Sequence, residues 1–142
     1  RHGDIIWSMV RPNRRSHALV LDPEQNLIVS TGFGVVSATR VPYSYLYLAL
    51  TTDGFVGYLA NHATGAAYPA VKAEDFEKAQ ILQPARDSLD RFHALAGQML
   101  ELKDGLARKN RNLRQTRDLL LPKLISGEIA VEAVAELMVQ SA

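Results

Sequence analysis

The sequence predicts an α+β protein in which a small, twisted, mixed β-sheet domain is followed by one long α-helix. Two observations carry this expectation. Residues 1–84 hold short strand-like runs punctuated by Pro, Gly, Asn and Asp. From about Ala85 to Leu121 the pattern changes, and Phe92, Leu95, Met99, Leu102, Leu106, Leu113 and Leu120 recur in alternating steps of three and four, with Lys109 and Thr116 as the interruptions. A helix of roughly 36 residues is about 54 Å long at about 1.5 Å per residue. That is too long to pack along its whole length on so small a head, so the apolar seam must find another helix.

The elements of the head follow in order. Asp4–Val10 reads as a strand stopped by Pro12, and Asn13-Arg14-Arg15-Ser16 as a basic turn. His17–Leu21 resumes a strand. A turn over Asp22–Asn26 leads to a strand at Leu27–Ser30, and Phe33–Ala38 continues in the same style. Tyr43–Thr51 switches to helical spacing through Leu46, Ala49 and Leu50, and a second short helix covers Gly54–Asn61. Thr64–Ala67 is a small-residue loop. Tyr68, preceding Pro69, is held extended. Asp75–Ala79 makes one helical turn and Gln80–Leu82 a last strand, so the domain boundary is set at 84/85, giving a head over 1–84 and a helical part over 85–142.

Asp87, Ser88 and Asp90 suit the start of the long helix. Gly97 and Gly105 each cost about 1 kcal/mol relative to alanine in a helix, which close helix–helix approach would explain. Pro122 should end or kink the helix, and Val131–Met138 form a short final one.

The chain of 142 residues has 47% hydrophobic residues, no cysteine and a formal net charge of +1. Disulfides and thiolate metal sites are excluded, and a reducing cytoplasm is the default location. No apolar run approaches the roughly 18 residues of a membrane span, and no signal peptide is visible. Arg108, Lys109, Arg111, Arg114 and Arg117 form a stretch without an acid, which suits a solvated face, an acidic protein face or phosphates.

Catalytic patterns are missing. His2, His17, His62 and His93 lack metal-ligand spacing, and Ser16-His17 adjacency does not make a nucleophile–base pair. Gly32-Phe33-Gly34 lacks the third glycine of a dinucleotide fingerprint. Asp53, Glu74 and Asp75 fall where capping accounts for them. No catalytic or metal-binding residue is assigned.

Nucleic-acid binding fits better. Arg11, Arg14 and Arg15 crowd one turn with Asn13 and His17 beside them, and Arg40, Tyr43, Asn61, His62 and Lys72 add donors on loop-like segments. Arginine can bond guanine, and asparagine adenine, in a bidentate manner in the major groove.

The order of segments resembles a known family. Gly3–Pro12 resembles the strand and Arg-Pro turn of a target recognition domain from type I restriction–modification specificity subunits. Thr31–Val36 with Tyr45–Leu50, then Thr64–Val71 with Phe76 and Ile81–Pro84, are similar to its later segments, and Arg117–Ile129 resembles the signature that follows the family's spacer helix. The junction Gln83–Asp87 departs from the family's proline-rich pattern, and one recognition domain stands where a full subunit has two. The chain therefore resembles the C-terminal half of such a subunit, or a half-sized one, with the start of its recognition domain missing before Arg1.

The resemblance implies a bacterial, cytoplasmic, non-catalytic protein that reads double-stranded DNA and works with separate methyltransferase and restriction subunits. S-adenosylmethionine would be bound by the methyltransferase, and this chain would carry no cofactor. In the family, two spacer helices pair as an antiparallel coiled coil and hold two recognition domains on a bipartite site. With one domain per chain, that geometry calls for a homodimer through Phe92–Leu120 and inverted half-sites. Two other readings stand beside it: a coiled-coil interaction module with a protein-binding head, and the recognition tail of a fused restriction–methylation enzyme.

Overall fold

The computed structural model describes residues 1–130. The short helix expected over Val131–Met138 lies outside the described residues. Two compact units, Arg1–Glu101 and Leu102–Ala142, make up the chain.

In the first unit the central strand is β1 (Ile5–Ser8), flanked by β2 (His17–Leu19) and β3 (Phe33–Val36) in the order β2-β1-β3. Ile5 pairs with Leu19 on one side and Val36 on the other, and Trp7 with His17 and Gly34. Both pairings are antiparallel, which corrects the expected mixed sheet. β2 and β3 run in the same direction, but β1 lies between them, so no parallel ladder forms. Side chains alternate across a strand, and Ile5 and Trp7 share the inward face, with no exposure.

Helices α1 (Tyr43–Leu50) and α2 (Asp53–His62) bury that face. Leu46 and Leu50 of α1, one turn apart, join Phe55, Val56 and Leu59 of α2 and Val71 around Ile5 and Trp7. The Phe55 ring meets Trp7 edge-on at 5.8 Å. α2 starts where the Thr52 side chain accepts from the Phe55 backbone N–H at 3.4 Å, with Asp53 in the first turn. α3 (Ala73–Lys78) starts where Asp75 accepts from the Lys72 backbone N–H at 2.7 Å.

The strands expected at Leu27–Ser30 and Gln80–Leu82 do not form. Residues 24–27 close a turn instead, with the Leu27 N–H donating to Glu24, and Ile28 is 89% exposed. The Leu82 carbonyl accepts from the Tyr45 hydroxyl at 2.6 Å, and Ile81 packs on the core. A side-chain bond serves there in place of a ladder.

Helix α4 (Arg86–Ile125) begins in the first unit. Leu89, Ala96 and Gly97 are its buried residues, and His93 Nδ1 lies 2.9 Å from the enclosed Ser44 hydroxyl of α1. A Cβ at Gly97 would stand 3.1 Å from the His93 ring, so glycine leaves that imidazole its place. Nothing among the described residues approaches the corresponding position at Gly105.

From Leu102 onward the described part of the second unit is the remainder of α4 and its cap. Of the expected end or kink at Pro122, the end does not occur, and the helix runs through it to Ile125. Proline removes a single N–H, while its own carbonyl still accepts from the Ser126 N–H at 3.0 Å. The stop falls at Gly127, whose φ of 75° suits a residue without Cβ. The N–H groups of Gly127 and Ile129 then bond the carbonyls of Leu124 and Lys123.

Leu59 belongs to the core cluster and has no exposure. Chemical denaturation of Leu59→Ala should show a loss of about 2–5 kcal/mol.

Candidate nucleic-acid interface

Beyond Ser8 the chain leaves its β2 partner. The Arg11 N–H donates to the Pro69 carbonyl at 2.7 Å, and the Val71 N–H donates to Met9 at 2.9 Å. Residues 9–11 thus pair with 69–71, and the connection to β2 is turned outwards. Pro12 opens a 3-10 turn, Pro12–Arg14, and is fully buried, which anchors it. Arg11 and Arg15 on either side both adopt left-handed backbone, with φ of 51° and 54°. Such conformations cost about 1–3 kcal/mol each outside glycine and persist where surrounding contacts hold them, often at functional sites.

The contacts that hold them are visible. The Arg11 guanidinium lies 4.4 Å from the Tyr68 ring centroid and donates to the Ala67 carbonyl at 3.1 Å. Thr64 and Ala70 exchange both backbone bonds at 2.9 Å, closing the loop that carries Tyr68. Arg15 forms an ion pair with Asp53 at the start of α2. Asn13 and Arg14 occupy the exposed tip between these two fixed points.

The remaining expected DNA contacts divide. His17 opens β2 beside the turn, but its ring stacks on Trp7 at 4.5 Å and meets Tyr47 edge-on, so it packs within the sheet. Asn61 is exposed in the last turn of α2. His62 donates from Nδ1 to the Tyr58 carbonyl at 2.8 Å, and both residues lead into the 64–70 loop. Lys72 follows that loop, exposed, ahead of α3. Arg40 and Tyr43 lie elsewhere: they follow β3 at the opposite end of β1 from the arginine turn. Arg40 is exposed there. Tyr43 packs against Gly3, meets the His2 and His93 rings edge-on, and donates to Glu101 at 2.8 Å.

Sequence reading did not select Tyr68 or Asp53. Tyr68 is 69% exposed and follows a small-residue loop, which was a signal available in the sequence. Asp53 carried none, because only the packing of α2 beside the turn brings it to Arg15. Among the described residues no cluster of three His, Asp or Glu could hold a metal ion. No helix among them is long and apolar enough to cross a membrane.

The apolar stripe of α4 is a surface. Phe92, Leu95, Met99, Leu102, Leu106, Leu113 and Leu120 are all among the exposed large hydrophobic residues, Leu95, Met99 and Leu113 by two thirds or more. Within the basic stretch, Arg108 pairs with Asp104 and Arg117 with Asp118, both at 2.7 Å.

The proteins this chain resembles are specificity subunits of type I restriction enzymes. The HindI specificity subunit of Haemophilus influenzae is 31% identical over 86 residues, which make up 60% of this chain and 19% of that protein. The MjaIX specificity subunit of Methanocaldococcus jannaschii is 35% identical over 68 residues, 48% of this chain and 16% of that one. The chain spans under a fifth of the length of these curated relatives. No protein-family model matches it.

The Tyr43 phenol is pushed up to about 12 from 10.0, first by burial and then by its hydrogen bond to Glu101. A raised value means that the folded state holds the proton more tightly. This contribution to stability is therefore complete below about pH 10 and lost as pH rises to about 12. Tyr43→Phe should cost about 1 kcal/mol at neutral pH and flatten the alkaline limb of a stability–pH curve. Some slope should remain, since burial also raises Tyr47.

Proposed function

We propose that this chain is a DNA-recognition module of a type I restriction–modification specificity subunit. The observation that carries the reading is the arginine turn. Three arginines and Asn13 sit where the central strand ends, two of the arginines in costly backbone geometry, in a chain similar to two specificity subunits. Arginine supplies phosphate contacts, which position a protein on DNA, and base-edge contacts, which specify sequence. The turn and the 64–70 loop read one half-site. The chain performs no catalysis and binds no cofactor. Methylation, with S-adenosylmethionine, and cleavage belong to separate methyltransferase and restriction subunits in the cytoplasm.

The same reading gives α4 its role. Its exposed stripe buries against a second copy in an antiparallel coiled coil, setting two recognition domains on inverted half-sites. Charge supports that direction. Parallel pairing would lay Arg108–Arg117 beside the same five cations of the partner, whereas antiparallel pairing lays them beside the half in which Asp87, Asp90, Glu101 and Asp104 outnumber Arg86, Arg91 and Lys103. A groove of about 890 Å³ lined in part by Tyr45, Leu48, Leu82 and Phe92 continues the apolar surface onto the head.

Selection from a random duplex pool, read by mobility shift with the cognate methyltransferase present, should enrich one sequence. Arg14→Ala should then cost about 1–3 kcal/mol and relax the preference at a single position. An unenriched pool would leave the protein-binding head as the better reading. Sedimentation equilibrium should give twice the chain mass, and Leu106→Lys, at the middle of the stripe, should return a folded monomer. A wild-type monomer at micromolar concentration contradicts the pairing.

A further inference from the structure

The three arginines of the turn are not equivalent. Arg11 lies over the Tyr68 ring and is bonded to Ala67, and Arg15 is paired with Asp53. The Arg14 side chain is exposed and has no hydrogen-bond or ion-pair partner among the described residues. The Asp53 side chain is 91% exposed. An exposed carboxylate beside a phosphate-binding turn opposes the general attraction on which such a surface depends, because it cancels one cation and repels the DNA backbone.

Its local duty does not account for that placement. An acid in the first turn of a helix complements the helix dipole, and Asp53 does so for α2. Thr52 already caps that end through the Phe55 N–H, however, and neither role requires the carboxylate to reach across to Arg15. The ion pair instead engages the second of the two left-handed arginines, next to the exposed Asn13 and Arg14.

We infer that Asp53 is a positioning residue for DNA reading. It holds Arg15 against α2 and keeps it from a phosphate, so that Arg14 at the tip is the cation left to meet a base edge. The inference rests on the DNA-recognition reading above. Its consequence is that Asp53 lowers total affinity and raises sequence preference. A residue that merely stabilised α2 would do neither.

The test compares full-chain wild type with Asp53→Asn, Asp53→Glu and the double variant Asp53→Asn/Arg15→Gln, on the selected site and on random duplex across a salt series. In Asp53→Asn the released Arg15 gains a phosphate contact. Random duplex should bind more tightly, with a salt slope steeper by about 0.9, so that about threefold more affinity is lost between about 50 and about 200 mM salt. The ratio of selected to random affinity should fall. Asp53→Glu should restore the ratio, and removing Arg15 in the double variant should abolish the gain on random DNA. The inference is overturned if Asp53→Asn lowers the thermal midpoint while leaving slope and ratio unchanged, or if it weakens both duplexes equally. A wild type that distinguishes no sequence removes the DNA-recognition reading, and this inference with it. A wild type that distinguishes sequence while Asp53→Asn leaves the ratio intact removes this inference alone.

Discussion

A three-stranded sheet has one face to bury, and in this head the burial falls on one strand. Ile5 and Trp7 of β1 are fully enclosed, and α1, α2 and the segment ending at Val71 are placed by the need to cover them. Burying side chains of this size is worth about 1.5–3 kcal/mol each, more than any hydrogen bond at the surface of this head contributes. The geometry of the arginine turn follows from that packing. Because α2 lies over Trp7, its first residue meets the turn at the far end of β1. Because residues 69–71 pair beside Met9 and Arg11, Tyr68 comes to lie under the Arg11 guanidinium.

The turn that results concentrates positive charge without leaving it loose. Cations spread along a flexible loop attract any phosphate backbone and pay an ordering cost on contact. Here Pro12 is buried, and the residues flanking the tip are held in left-handed backbone by partners distant in sequence. His17, stacked beneath on Trp7, contributes to the rigidity of the platform.

Helix α4 presents two faces with different tasks. Leu89 and Ala96 are buried in the first unit, and His93 and Gly97 meet Ser44 and Tyr43 of α1, with the Tyr43–Glu101 bond beside them. The neighbouring stripe from Phe92 to Leu120 is exposed, with only Phe92 meeting a ring of the head, that of Tyr45, among the described residues. The alternating steps of three and four keep these apolar residues on one side of the helix.

Local physics made much of this legible in the sequence. The strand runs expected at Asp4–Val10 and Phe33–Ala38, the helical spacing of Tyr43–Thr51, the long helix and the crowding of arginines before β2 are all short-range patterns, and the structure holds an element within each expected range. The expected strands at Leu27–Ser30 and Gln80–Leu82 fail for the complementary reason. A strand exists only where a neighbour accepts its ladder, and no residue within either run records whether one does. The helix runs on past Pro122 because the stop depends on the cap at Gly127. Tertiary structure alone decided that Tyr43 joins α1 to α4, that Arg15 meets Asp53 and that Arg11 lies over the Tyr68 ring. The sequence by itself determined which residues carry charge and which faces are apolar. Which charges remain outward was decided by packing, since those partners meet only when the core brings distant segments together.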